Sequence, residues 1–416
     1  MKILVTGSGG REHALIKKLL QNDRVSKIYC APGNGGTAGE AGCENIPITD
    51  IQELADFAGE NGIGLALPGS EDMLVSGIAD KFLEKKIPVL GPHKAAALLE
   101  GSKCFAKEFM QKYSIKTAAY KNFNSIDPAA HYLEGCDYPV VLKADGLAAG
   151  KGVLICQDKD EARLALNLLM KEKEFGTAGD SIVIEEFLEG VEASILSFYD
   201  GKTILPLLSA KDHKKIGEGE TGPNTGGMGV VAPNPHINEA VMNTFRKDIL
   251  LPTLKGLKME GLQFPGVIFF GLMINERGVY LLEYNLRMGD PETQAVLSLL
   301  DSDLLELIEN TLSGNLDTTE LTWKVGSCCC VVMASGGYPG PYEKGIPIEG
   351  ITDCQSDIFI AGAALKDSVL LTSGGRVLNV VANGTNLQSA RTACYRDVAR
   401  IRFRNSVYRR DIGGSF

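Results

Sequence analysis

The opening of the chain constrains the fold more than any other stretch. Residues 2–6 are an apolar run, 7–10 a glycine-rich turn and 11–20 an amphipathic helix. A strand that enters a helix through a tight turn begins a βα unit, and the next strand returns beside the first in parallel. The pattern repeats: residues 25–30, 64–68 and 88–90 read as further strands, with a helix near 74–86. Short strands alternating with helices predict an α/β parallel sheet with helices on both faces.

The next segment has a different rhythm. A helical stretch over 94–113 is broken at Gly101-Ser102, with Ser102 as N-cap of its second half. Strands at 138–144, 153–156 and 181–184 and a helix at 161–173 make a small α+β unit of the size of a lid. Residues 192–232 read as a strand pair and a long polar loop, 211–229. A helix at 239–254, strands at 267–274 and 279–284, and helices at 293–300 and 303–312 follow, the last closed by Gly314. From Val325 the chain reads as a separate β-rich module with one helix, 387–398. A chain of 416 residues exceeds one hydrophobic core and fits two to four domains.

Charge and composition exclude several classes. A net charge of −10 without a basic tract argues against a nucleic-acid partner. No run is long enough for a membrane span, and the start runs into a strand rather than a signal peptide, so a cytoplasmic location is expected. The ten cysteines show no paired spacing, and Cys328, Cys329 and Cys330 alternate between the faces of a strand, as reduced thiols. Arg400, Arg402, Arg404, Arg409 and Arg410 alternate with apolar residues and read as a solvated face or a substrate wall, and His213, beside Asp212 and Lys214, as a surface residue.

Four motifs carry chemistry. Gly7-Ser8-Gly9-Gly10-Arg11-Glu12 is not a dinucleotide fingerprint: Glu12 stands at the third glycine position, and Ala31-Pro32-Gly33 replaces the acidic end of the second strand. Backbone N–H groups at a helix start suit a phosphate, so a phosphorylated small molecule is expected there, with a structural turn as the competing reading. Residues 146–152, with Lys151, depart from a Walker A loop and suit a hairpin lid over a triphosphate. Residues 182–190 are a strand that becomes a linker, able to read adenine through backbone groups, with Glu192 near for a ribose hydroxyl. In the strand 281–287, Glu283, Asn285 and Arg287 alternate onto one face, two oxygen ligands and a guanidinium suited to Mg²⁺ and phosphate. The apolar residues between them favour an inward row over an exposed one.

Six motifs in order carry a resemblance over essentially the whole chain: residues 7–14, 31–34, 143–152, 224–229, 287–294 and 408–413. The chain resembles the ATP-grasp superfamily and, within it, the phosphoribosylamine–glycine ligase family. The resemblance implies an N-terminal domain (1–102), an ATP-grasp domain (103–322, lid about 118–190) and a small β-rich C-terminal domain (325–416). It implies ATP-dependent joining of glycine to 5-phosphoribosylamine through glycyl phosphate, with Mg²⁺ or Mn²⁺ on Glu283 and Asn285. Lys103 and Lys143 would contact phosphates, Gly146, Ala149, Gly150 and Lys151 would form the lid, and Glu185, Glu186, Phe187 and Leu188 would surround adenine. Arg287 would hold the transferred phosphoryl or the carboxylate, with Asp212 and Lys143 as the other catalytic groups. Gly9, Gly10 and Arg11 would take the 5-phosphate. Glu71, Asn224, Thr225 and Gly226 would line the substrate side, and Asp212, Asp290 and Glu292 the glycine ammonium. The expected partners are these small molecules only, on a monomer or weak homo-oligomer. Two departures stand out: Phe269-Phe270-Gly271-Leu272 lacks a second acidic metal ligand, and Gly69-Ser70-Glu71 replaces a Gly-Pro-Glu segment. The competing functions are a carboxylase of the same superfamily, a nucleotide-binding protein without turnover, and an NAD-dependent dehydrogenase.

Overall fold

Strand Lys2–Gly7 lies inside a four-stranded parallel sheet, ordered Cys43–Asn45, Lys27–Pro32, Lys2–Gly7, Leu65–Pro68, in a computed structural model that describes residues 1–148 and 152–414. Successive side chains of a strand face opposite ways. Ile3 and Val5 accordingly join a core with Ile16 and Leu19, and Leu4 joins another with Leu54 and Phe82. Both faces are covered, as the unbroken apolar run requires. Two expected elements differ. The helix over 74–86 is two helices, Glu71–Ser76 and Ile78–Glu84, because Gly77 at φ 93° ends one and starts the next. The strand over 88–90 is a single parallel bridge from Val89 to Ala66.

The lid is an antiparallel sheet, Tyr120–Phe123, Ile182–Glu186, Val140–Ala144, Val153–Cys156, backed by helices Ile126–Leu133 and Lys159–Leu166 around their own core. A second antiparallel sheet runs Ile204–Pro206, Val191–Asp200, Pro265–Asn275, Gly278–Asn285. Its last pair is bulged: Gly271 opposes Glu283 and Leu272 opposes Leu281, which leaves Leu282 as the extra residue. The bulge resets the alternation. Leu281 and Tyr284 both enter one core, while Leu282 packs against a separate small cluster. Glu283 and Asn285 keep their two-residue spacing and stay on one face of the strand.

The C-terminal sheet is ordered Lys211–Asp212, Gly229–Ala232, Ser327–Ala334, Arg376–Gly384, Asp357–Ile360, with helix Leu387–Val398 against it. Its first strand comes from the stretch 211–229 expected to be a polar loop, its second begins at the end of that stretch, and the hairpin Lys215–Gly217/Thr221–Asn224 projects between them. The helical stretch after it runs past residue 254, as helices Glu239–Phe245 and Leu251–Met259 joined by a wide turn. Cys328 and Cys330 face one core and Cys329 another, and all ten thiols are free. Among the described residues, no helix is long and apolar enough to cross a membrane.

Candidate active site

Helix Lys103–Lys112 starts where the sequence places its cap, with Ser102 Oγ accepting from the Phe105 N–H at 3.1 Å. The same hydroxyl donates to Asp145 at 2.9 Å, and the Cys104 N–H donates to Asp145 at 3.0 Å. Asp145 thereby ties the lid loop to the helix start, and Lys103 Nζ donates to Gly146 O at 2.8 Å. One turn on, Lys107 is buried; its Nζ donates to Thr117 Oγ1 at 2.6 Å and lies 3.2 Å from Glu185 Oε1. Lys143 reaches the same oxygen at 3.0 Å. The Glu185 side chain is thus the shared counter-ion of two lysines. Burial pushes Lys107 down to about 8 against the pull of Glu185. Lys107 escaped the sequence reading, although its i+4 spacing from Lys103 puts both on one helix face.

Glu186 is tied to Ala119 twice, its N–H donating to Ala119 O at 2.9 Å and its carboxylate accepting from Ala119 N–H at 2.9 Å. Phe187 is half-buried beside it. Leu188 packs with Ala118, Met273 and Tyr280, with Leu282 against them, an apolar cluster apart from the domain cores. Glu192, expected at a ribose hydroxyl, holds Lys214 Nζ at 3.0 Å. Ala149, Gly150 and Lys151 lie outside the described residues.

The Glu283 carboxylate makes no hydrogen bond or ion pair among the described residues. Burial alone would raise its pKa, yet Lys214, Lys143, Lys103 and Arg287 hold it below the usual carboxylate range. Arg287 Nε lies 3.0 Å from Glu71 Oε2 and 3.1 Å from Glu100 Oε1, and its Nη2 is 3.5 Å from Asn285 Oδ1. Glu100, another residue the sequence reading missed, is buried and also accepts from the Leu286 N–H at 2.7 Å.

Two further carboxyls sit together. Burial and Glu292 push Asp212 well above the usual range, and its Oδ1 is buried without a hydrogen-bond partner. Glu292 is also raised by burial and accepts from Ser194 Oγ at 3.1 Å. A Cβ on Gly227 would stand 2.7 Å from Asp212 Oδ1. Asn224 is half-buried at the end of the hairpin. Thr225 and Gly226 serve the loop itself: the Thr225 N–H and Oγ1 both donate to Lys214 O at 2.8 Å, and the Gly226 N–H donates to Tyr338 OH at 3.0 Å. Arg376 of the C-terminal sheet donates to Gly226 O and, at 2.7 Å, to Asp290 O. His213 is buried rather than at the surface, its Nδ1 3.2 Å from Gly229 O, and burial together with Arg409 pushes it down to about 4.

The N-terminal turn is already engaged with carboxylates. The Gly9 N–H donates to Glu12 Oε2 at 2.6 Å and the Arg11 N–H to Asp290 Oδ2 at 3.1 Å. Gly10 lies against Gln294 and Asn379, so a Cβ there would be 2.3 Å from Asn379 Nδ2. Arg11 holds Glu12 at 2.6 Å and donates to Met288 O at 2.9 Å. The expectation of a phosphate on these amides meets an obstacle: two negative groups occupy the Gly9 and Arg11 donors.

Lys143 of the lid sheet sharing Glu185 with Lys107 of the neighbouring helix, a second sheet whose last strand carries an unpaired Glu283 with Asn285 and, beyond it, Arg287, and a pair of buried acids fit an ATP-grasp ligase. Profiles described as phosphoribosylglycinamide synthetase match over residues 1–100 (N domain), 101–293 (ATP-grasp domain) and 328–415 (C domain). The chain belongs to the phosphoribosylglycinamide synthetase family. The phosphoribosylamine–glycine ligase of Clostridium acetobutylicum is 52% identical over 415 residues, 100% of both chains. That of Fusobacterium nucleatum is 51% identical over 418 residues, covering 99% of this chain and 98% of its own. The crystal structure of phosphoribosylamine–glycine ligase from Thermotoga maritima superposes with a TM-score of 0.88 at 33% identity, over 99% of this chain and 100% of that one. Biotin carboxylase from Campylobacter jejuni shares the fold at 13% identity, with a TM-score of 0.75 over 98% of this chain and 92% of its own.

Proposed function

We infer that this ATP-grasp carbon–nitrogen ligase joins glycine to 5-phosphoribosylamine in purine biosynthesis, releasing ADP and phosphate and leaving glycinamide ribonucleotide. The observation that carries this reading is family membership over all three matched segments. The site supplies the chemistry. A carboxylate is inert to an amine at neutral pH, so glycine must first take the γ-phosphoryl group of ATP to become an acyl phosphate. Lys143 and Lys103 face the phosphates, and Leu188 and its apolar neighbours suit the adenine ring. Glu283 and Asn285 would hold a divalent metal, Mg²⁺ or Mn²⁺. The fit rests on Glu283, an ionised carboxylate with no direct partner, and Gly271 opposite adds no second ligand. When bound, the metal neutralises charge on the transferred phosphoryl. Arg287 then orients the phosphoryl or the carboxylate through its fork.

Asp212 and Glu292 would hold the glycine ammonium, because a cation relieves the mutual repulsion of two buried carboxyls. Phosphoribosylamine would lie along Gly9–Arg11 and Glu71. Its ribose hydroxyls, rather than its phosphate, fit the carboxylates of Asp290 and Glu71, since a dianion beside them is repelled. The amine attacks the acyl carbon, the C–O bond to phosphate breaks, and inorganic phosphate leaves with the electron pair. The domain limits 1–102, 103–322 and 325–416 describe this division of labour, with Lys211–Asp212 and Gly229–Ala232 carried into the third sheet.

The direct test is ADP release with ATP, Mg²⁺ and glycine, with and without freshly generated phosphoribosylamine. Release that requires both substrates, with the product seen by mass, is expected. Release with bicarbonate alone would turn the reading to a carboxylase. The acid pair adds a pH signature. Ammonium capture needs Asp212 ionised, and its pKa is raised, so kcat/KM for glycine should fall as pH drops through that raised value. In Asp212→Asn this fall should shift or vanish, and the KM for glycine should rise by about 10–100-fold, the loss of a hydrogen bond to a charged group. An unchanged glycine KM in that variant would remove Asp212 from the ammonium site.

A further inference from the structure

Arg409 lies in the segment 408–413, a motif of the sequence whose role the reaction leaves unassigned. It is the largest side chain buried to the level of the core, at 1% exposure. Its guanidinium is divided among three acceptors. Nε and Nη2 donate to the two Asp411 oxygens at 2.8 and 2.7 Å, Nη2 also donates to Glu220 Oε1 at 2.8 Å, and Nη1 donates to Lys215 O at 3.1 Å. Asp411 in turn accepts from the Gly219 N–H at 2.9 Å, and the Arg410 N–H donates to Glu218 Oε1 at 3.2 Å. The opposite end of the segment is fixed as well, with Tyr395 OH donating to Arg409 O at 2.7 Å.

Four of these contacts, to Lys215, Glu218, Gly219 and Glu220, grip one object, the hairpin Lys215–Gly217/Thr221–Asn224. Its tip has Gly219 at φ 65° and Glu220 at φ 57°, and a left-handed glutamate persists only where its surroundings hold it. The hairpin's root is Lys214, whose carbonyl accepts twice from Thr225 and whose Nζ sits on Glu192. Lys214 also stands two residues after Asp212 on the same backbone, with the His213 N–H between them donating to Gly229 O at 2.9 Å, so the hairpin root continues the edge strand that carries Asp212.

We propose that Arg409, through the hairpin, is the positioning residue for Lys214 and thereby for the glycine pocket around Asp212. The proposal rests on the assignment of Asp212 to glycine made above. The guanidinium never touches substrate; it fixes the carbonyl of Lys215, one peptide from Lys214 and three residues along the backbone from Asp212. A Lys at 409 reaches one acceptor instead of three and cannot replace the fork.

The experiment is steady-state kinetics with all three substrates on Arg409→Lys, Glu220→Gln, Lys214→Met and Arg409→Lys/Lys214→Met, with thermal unfolding of each, and with Asp212→Asn in parallel. Arg409→Lys is expected to lower kcat/KM for glycine by about tenfold, the usual scale for an orienting contact, with the KM for ATP unchanged. Glu220→Gln, at the exposed hairpin tip, should act in the same direction and keeps the test alive if Arg409→Lys fails to fold. In the Lys214→Met background the Arg409 change should cost nothing further, because both act through one group. Additive losses, or ATP and glycine KM rising together with a lowered Tm, overturn the proposal. If Asp212→Asn leaves the glycine KM unchanged, the pocket assignment fails and the proposal with it; if only Asp212→Asn moves it, the proposal fails alone.

Discussion

Glu283→Ala is expected to abolish ligation, with kcat falling about 10²–10³-fold or more, while the chain stays folded. The magnitude is that of removing one preorganised group from developing transition-state charge. The folding half follows from the contacts. The Glu283 carboxylate has no hydrogen bond or ion pair among the described residues, so its removal orphans no donor, and its backbone remains paired with Gly271. Only long-range attraction to Lys214, Lys143, Lys103 and Arg287 is lost. Glu283→Gln separates shape from charge, since it keeps an oxygen but not the anion. Activity measured across a Mg²⁺ titration reads the difference: the glutamine variant should need more metal, and the alanine variant should not recover at saturation. Full activity of Glu283→Ala at saturating Mg²⁺ would remove it from the metal site.

What the sequence carried depends on distance along the chain. Ile3, Leu4 and Val5 announce a strand buried on both faces because their period is local, and Ser102 and Gly314 announce helix ends because caps act over a single turn. The Glu283–Asn285 face was legible for the same reason, but the bulge at Leu282 was not, since it depends on the partner strand. Lys211–Asp212 is two residues long, too short to show any period, and its role as an edge strand is set by Gly229–Ala232. The partners of the charged groups were the least legible. Glu100 accepts from the Leu286 N–H, next to Arg287, at a sequence separation of 186, and Arg409 meets Lys215 at a separation of 194. Periodicity places a charge on a face but does not say which distant charge arrives there, so His213 and Arg409, read as a surface residue and as part of a solvated face or substrate wall, are buried instead, and the two lysines on Glu185 were not foreseen. The turn at Gly9–Arg11 shows the same limit: its donors were visible, and the carboxylates of Glu12 and Asp290 that fill them were visible only in three dimensions.

Arg287→Ala should lose activity and stability together, and the two losses should come apart in a second variant. The guanidinium stands between Glu71 and Glu100 with 15% of its side chain exposed, and Glu100 is nearly enclosed. Breaking a buried pair by deleting one partner costs about 3–5 kcal/mol, because the remaining charge keeps its desolvation cost. For a domain of this size each kcal/mol lowers Tm by roughly 2–4 °C. Burial already raises the Glu100 pKa against the pull of Arg287, and without that pull it must rise further. A carboxyl whose folded pKa lies above its unfolded value contributes stability that is present below the unfolded pKa and lost as pH rises through the folded one. The Tm gap between wild type and Arg287→Ala should therefore narrow as pH is lowered toward the carboxylate range. Glu100→Gln added to Arg287→Ala removes the stranded charge, so most of the stability should return at neutral pH, while ligation stays absent because the fork that orients the phosphoryl group is still missing. Thermal unfolding of the three proteins at two pH values measures the stability effects, and a ligation assay on each measures the other. A double variant as unstable as Arg287→Ala would place the loss in packing around the arginine stem rather than in the charge of Glu100.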